Sequence, residues 1–138
     1  MGDSATDRKL KHLEFIQQVV SRMASNLFLL KGWTITLIAA LFALAAKDSK
    51  DAYFVIAYVP AFMFWMLDGY FLSQERRFRA LYDYVRELPE DKINFSMDTR
   101  PFKRPFEWPK AAFSSTLILY YGVLIATMLA VQVVVSRR

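Results

Sequence analysis

Two ionisable residues interrupt runs that are otherwise built from apolar and small side chains: Lys31 inside 27–46 and Asp68 inside 52–72. A charge in hydrocarbon is costly unless it is paired, snorkels to the interface or faces water. Three chemistries are therefore open to these residues: a structural ion pair, separate snorkelling, or a carboxylate at Asp68 that carries a proton beside a wet path. Residue counting favours the first. A polar turn, Lys47 to Asp51, separates the two runs; Lys31 lies 16 residues before Lys47, and Asp68 lies 17 after Asp51. At about 1.5 Å of rise per residue, both sit about 24–26 Å from the turn. A helical hairpin brings Lys31 and Asp68 to matching depth. The same count sets Glu14 near Arg86, and Arg22 near Glu75 and Arg76.

Other chemistry-bearing groups are sparse. Cysteine is absent, which removes disulfides, thiolate catalysis and Cys-ligated metals. His12 is the single histidine. There is no Gly-rich phosphate loop, Ser-centred elbow or His/carboxylate cluster of metal-ligand spacing. No catalytic residue, metal or cofactor is expected, and an enzyme is not. In the third apolar run, Thr116, Tyr120 and Thr127 fall near one helix face, with Gln132 close to the end. They suit either the wall of a pore or hydrogen bonds between helices. Gly32, Thr36, Ala40 and Ala43 form a small-residue face on the first run, suited to close helix contact. Pro60 is expected to kink the second run and free a carbonyl.

The elements that must position these residues follow from periodicity. Of 138 residues 55% are hydrophobic, gathered into three runs of about the length that crosses a bilayer as helix. Before the first run, Leu10, Leu13, Ile16, Val20, Met23, Leu27 and Leu30 recur at steps of three or four, a helical stripe that continues into the run. Ser4 or Thr6 is available as its N-cap. After the second run, Phe71, Gln74, Phe78, Leu81, Val85 and Leu88 keep the same period until Pro89. The expected fold is all-α: a membrane protein with three transmembrane helices, the first two forming a long antiparallel hairpin extended into the cytoplasm. The expected boundaries within a single domain, 1–138, are a helix over 4–46, a second over 52–88, a linker over 89–110 and a third span over 111–136.

Charge supplies an orientation. The N-terminal segment carries five Lys or Arg and the Ser73–Lys110 segment nine, against four at the other ends of the spans. The positive-inside rule places the N-terminus and the linker in the cytoplasm and the C-terminus outside. The first 25 residues are charged and amphipathic, without the pattern of a cleavable leader. Trp33 and Trp108 suit the membrane interface. Prolines at 89, 101, 105 and 109 forbid a continuous helix in the linker, whose basic residues alternate with Phe102, Phe106 and Trp108. That composition fits an anionic inner leaflet. Glu90, Asp91, Asp98 and Glu107 dilute the charge, which leaves only a weak signal for a nucleic-acid site.

The run KHLEFIQQVVSRMASNLFLLKGW, with FWMLDGYFLSQERRFRALYDYVR and the later NFSMDT, resembles a family of small, mostly uncharacterised bacterial membrane proteins over most of the chain. A more remote similarity is to the small membrane accessory proteins encoded beside type VI-B CRISPR effectors. That similarity implies a homo-oligomeric pore in the bacterial inner membrane acting in antiphage defence, with a HEPN-like Arg/His signature. Arg8 and His12 enclose three residues, a tighter spacing than the HEPN pair, so a Lys/His helix face near the inner surface is expected instead. The expected partners are the lipid bilayer and further copies of the chain. The alternatives are a non-conducting anchor for a cytosolic partner and a small transporter using Asp68.

Overall fold

The computed structural model describes residues 2–48 and 51–137, with Ser49 and Lys50 of the expected turn outside the described residues. Helix α1 spans Gly2–Asp48 and α2 spans Asp51–Glu87; 3₁₀ turns follow at Glu90–Lys92 and Arg100–Phe102, then a short α3, Glu107–Ala112, and α4, Ser115–Ser136. No strand occurs among the described residues. Helices α1, α2 and α4 are each long and apolar enough to cross a membrane. With 47 and 37 residues, α1 and α2 extend about 70 and 55 Å, well beyond a 30 Å hydrocarbon layer. Each therefore has an apolar half and a charged half. Pro60 lies within α2, and the helix continues on both sides of it.

Helices α1 and α2 run antiparallel in one register. Ile16 and Val20 pack on Leu81 and Val85 in the charged half, and Ile38 packs on Ala57 and Ala61 in the apolar half. Ile93 folds back onto the first cluster, with Leu13, Phe78, Tyr82 and Met97 around it. Met128 and Leu124 of α4 complete the second. The apolar half is thus a three-helix bundle, and the charged half is a two-helix hairpin wrapped by the linker.

The linker is held by local bonds and by α1. Thr6, inside α1 rather than at its N-cap, donates to Glu90 at 3.0 Å; Lys9 donates to the Leu88 carbonyl at 2.8 Å, and Arg8 to that of Ile93 at 3.3 Å. Arg100 grips Asp98 from both backbone and side chain, and its hydrogen bonds hold that exposed carboxyl down at about 2. The linker ends in α3 rather than running loosely to 110, and the third long helix starts at Ser115 rather than 111. Phe113 and Ser114 break the two, their amides donating to Pro109 and Ala111 carbonyls.

α3 seats on α2 at Gly69, where an added Cβ would meet the Ala112 Cβ at 2.7 Å and its backbone Cα at 2.8 Å. Glycine is required there by the neighbour's backbone, and a methyl cannot be absorbed by a side-chain rotation. Two indoles, one from each helix, lock the contact: Trp65 Nε1 donates to the Ala112 carbonyl at 2.8 Å, and Trp108 Nε1 to that of Met66 at 3.0 Å. Gly69→Ala is predicted to destabilise the protein by about 1–3 kcal/mol, measured as thermal unfolding in mild detergent. Gly32→Ala, whose Cβ would meet nothing within 4 Å, is predicted to be neutral or slightly stabilising. Equal effects at both positions would contradict the packing.

Candidate functional site

The charged and aromatic groups of the apolar half converge where α1, α2 and α4 meet. Lys31 Nζ donates to Asp68 Oδ2 at 2.9 Å. The Tyr121 phenol donates to the same oxygen at 2.7 Å. Asp68 and Tyr121 are almost fully buried, and the Lys31 side chain retains 23% exposure. Asp68 Oδ1 is buried and has no hydrogen-bond partner among the described residues. The contacts at Oδ2 therefore carry the compensation of a buried charge.

Aromatic rings hold this latch in place. Trp65 stacks on Tyr121 with centroids 5.9 Å apart, and Phe113 closes the far edge of the indole. Tyr120 packs edge-on against Tyr121 at 4.9 Å, donates to the Lys31 carbonyl at 3.1 Å and places its ring 5.5 Å from the Lys31 ammonium. Thr34, fully buried beside them, donates to Leu30 within its own helix at 2.7 Å. The local sequence explains the convergence: Lys31 and Thr34 are three apart on α1, and Trp65, Asp68 and Gly69 share one side of α2. Chemically, the constellation binds three helices through one carboxylate.

The structure divides the expected polar face of α4. Tyr120 turns to Lys31, and Gln132 accepts a hydrogen bond from Tyr58 of α2 at 3.1 Å. Thr116 and Thr127 are exposed, with Thr127 donating to Val123 in its own helix at 2.8 Å. Tyr120 and Gln132 are therefore helix–helix bonds and not free lining groups. The small-residue face is not the side that α1 turns to α2. Gly32, Thr36, Ala40 and Ala43 are all exposed, and α1 packs through Leu27, Thr34, Ile38 and Ala45 instead. Those four residues share one side of the helix, and Gly32, Thr36, Ala40 and Ala43 fall on the opposite side.

In the charged half, the ion pairs expected from depth between α1 and α2 do not form. Glu14 pairs with Lys11, Arg86 with Asp83 and Glu75 with Arg79, each within its own helix. Partners one turn apart on a helix win over partners across a groove already filled by Ile16, Val20, Leu81 and Val85. His12 likewise departs from the expected surface face. It is buried to 1% exposure, its Nε2 lies 3.0 Å from the Ser96 carbonyl, and its ring packs 5.4 Å from that of Phe95. Leu10, on the expected apolar stripe, is 59% exposed. Phe95 reaches His12 from a left-handed backbone (φ 55°), a strained choice for a bulky residue. No grouping of three metal-ligating side chains occurs among the described residues.

Sequence reasoning did not find Tyr121, Trp65 or Gly69. Tyr121 adjoins Tyr120 in an apolar run, and only the helix phase set by Leu117 and Met128 turns it inward. In comparisons with protein-family models, characterised proteins and solved structures, nothing matches this chain.

Removing one partner of a buried pair strands the other, whereas removing both does not. Lys31→Ala and Asp68→Ala are each predicted to lower stability by about 3 kcal/mol, and Tyr121→Phe by about 1–3 kcal/mol. The double variant Lys31→Met/Asp68→Leu is predicted to recover most of the loss, as read by thermal unfolding in detergent. Additive losses in the double variant would contradict the latch.

Proposed function

We propose that this chain is a bacterial inner-membrane protein that assembles as a homo-oligomer and forms or gates a passage between its subunits, in the manner of a membrane-depolarising defence effector. The observation that carries the reading is the uncovered face of α1. Gly32, Thr36, Ala40 and Ala43 are exposed, and apart from Gly32's own neighbours and helix backbone no described atom lies within 4 Å of where a Gly32 Cβ would stand. Small residues let helix backbones approach closely, and in a bilayer that approach is a main source of helix association. Thr36 on this face, and Thr116 and Thr127 on the outer side of α4, are among the polar groups that the internal bundle leaves uncovered. Within one subunit the apolar half packs around Ile38, Ala57, Ala61 and Met128, so a passage must be built between copies.

The distribution of Lys and Arg supports an orientation with the charged halves of α1 and α2 in the cytoplasm. The hairpin and its wrapped linker then form the part that receives a signal. The defence role rests on the resemblance to small CRISPR-associated membrane proteins and on the pore reading together.

A photo-crosslinking residue placed at position 40 in native membranes tests assembly. The prediction is a ladder at multiples of the 16.1 kDa chain, absent when the same group is placed at position 38 on the buried face, together with ion flux in reconstituted liposomes. A monomer without flux would overturn the proposal. Capture of one stoichiometric soluble protein without flux would favour the adaptor alternative.

A further inference from the structure

The charged half holds a cleft of about 340 Å³ lined by Arg76 and Arg79 of α2, Arg104 of the linker and Lys110 of α3, with Ala80 and Phe102 among its walls. Two carboxylates also line it, and both are engaged: Asp83 with Arg86 at 3.7 Å and Glu107 with Arg77 at 2.6 Å. Arg79 pairs with Glu75 at 2.7 Å. Arg76, Arg104 and Lys110 are exposed and make no ion pair among the described residues. Three separate elements thus bring unpaired cations to one concavity. The arrangement is fixed by the largely buried Arg77–Glu107 bridge, which ties the first turn of α3 to α2.

Position narrows the ligand. Arg76 lies eight residues beyond Asp68 on α2, about 12 Å further along the axis. With Asp68 about 24–26 Å from the outer boundary of a 30 Å hydrocarbon layer, Arg76 stands about 6–8 Å outside the inner boundary, at the level of headgroup phosphates. Phe106, Trp108 and Phe113, which flank the same segment, are 76%, 45% and 60% exposed, as expected of side chains that enter the interface. Phe106 is presented from a left-handed backbone (φ 54°) at the N-terminus of α3.

We propose that this cleft binds a phosphate-bearing anion, with Arg76, Arg104 and Lys110 as its ligands, so that α3 docks on anionic phosphates at the inner membrane face. The assignment rests on the membrane reading above, which is checked separately by resistance of the chain to alkaline carbonate extraction. Guanidinium groups chelate phosphate oxygens through paired N–H donors, and the lysine adds a point charge.

The test uses full-length protein in mild detergent, titrated with phosphatidylglycerol, phosphatidylcholine and glycerol phosphate and read by native mass spectrometry. Phosphatidylglycerol is expected to bind at least about tenfold more tightly than phosphatidylcholine. The variant Arg76→Gln/Arg104→Gln/Lys110→Gln is expected to lose that preference, and Lys11→Gln/Arg22→Gln/Lys92→Gln, with the same change of charge, to keep it. Displacement of the lipid by glycerol phosphate assigns the site to phosphate from a soluble source as well. Failure to displace assigns it to the lipid headgroup held with its chains. If the first variant unfolds at a lower temperature than the wild type, Arg104→Gln alone carries the comparison. Equal retention of the two lipids by the wild type, or equal loss in the two charge-matched variants, overturns the proposal.

Discussion

One buried carboxylate organises the apolar half of this protein. Asp68 lies in a stretch of α2 where ionisation is tolerable only with partners, and its partners come from two other helices: Lys31 from α1 at 2.9 Å and Tyr121 from α4 at 2.7 Å. Apolar packing alone specifies a three-helix bundle weakly, because Leu, Ile and Ala faces can slide past one another with small changes in contact. A buried charge does not tolerate sliding. A shift of one turn, about 5.4 Å, would break the first bond if α1 moved, the second if α4 moved, and both if α2 moved. The latch therefore sets register, and the rest of the bundle packs in the register it sets.

The second constraint is the close seat of α3 on Gly69. It turns the chain from the linker into α4 within a few residues, and it delivers Tyr121 to Asp68 by fixing where α4 begins. Trp65 joins the two features directly, donating to the Ala112 carbonyl of α3 while stacking on Tyr121. The same short helix carries Glu107 to Arg77 and so anchors the linker. Latch, seat and cationic cleft are consecutive along α2, at Asp68, Gly69 and Arg76–Arg79, which couples the membrane-depth bundle to the surface that faces the headgroups in the proposed orientation.

The long helices were legible in the sequence because their signals are strong and local: three apolar runs, two uninterrupted stripes of period 3.6, and Pro89 as a stop. The matched depth of Lys31 and Asp68 was legible because a helical hairpin makes depth a matter of counting. Tyr121 was not, since its inward direction depends on the phase of α4, which the break at Phe113 and Ser114 resets. The seat at Gly69 was equally hidden, because a close approach is a property of two segments 43 residues apart in the chain. The same limit explains the small-residue face. Its composition says that it suits close contact, and only the structure shows that α1 turns a different side to α2.

The bundle depends on a direct ion pair between Lys31 and Asp68. Magic-angle-spinning NMR of the protein in lipid, with ¹⁵N at lysine and ¹³C at aspartate, measures it through the dipolar coupling between Lys31 Nζ and Asp68 Cγ. A strong coupling is expected, surviving dilution with unlabelled protein and disappearing in Lys31→Met. A spectrum in which the Lys31 ammonium couples only to water or lipid phosphate, with no aspartate carbon nearby, would contradict it.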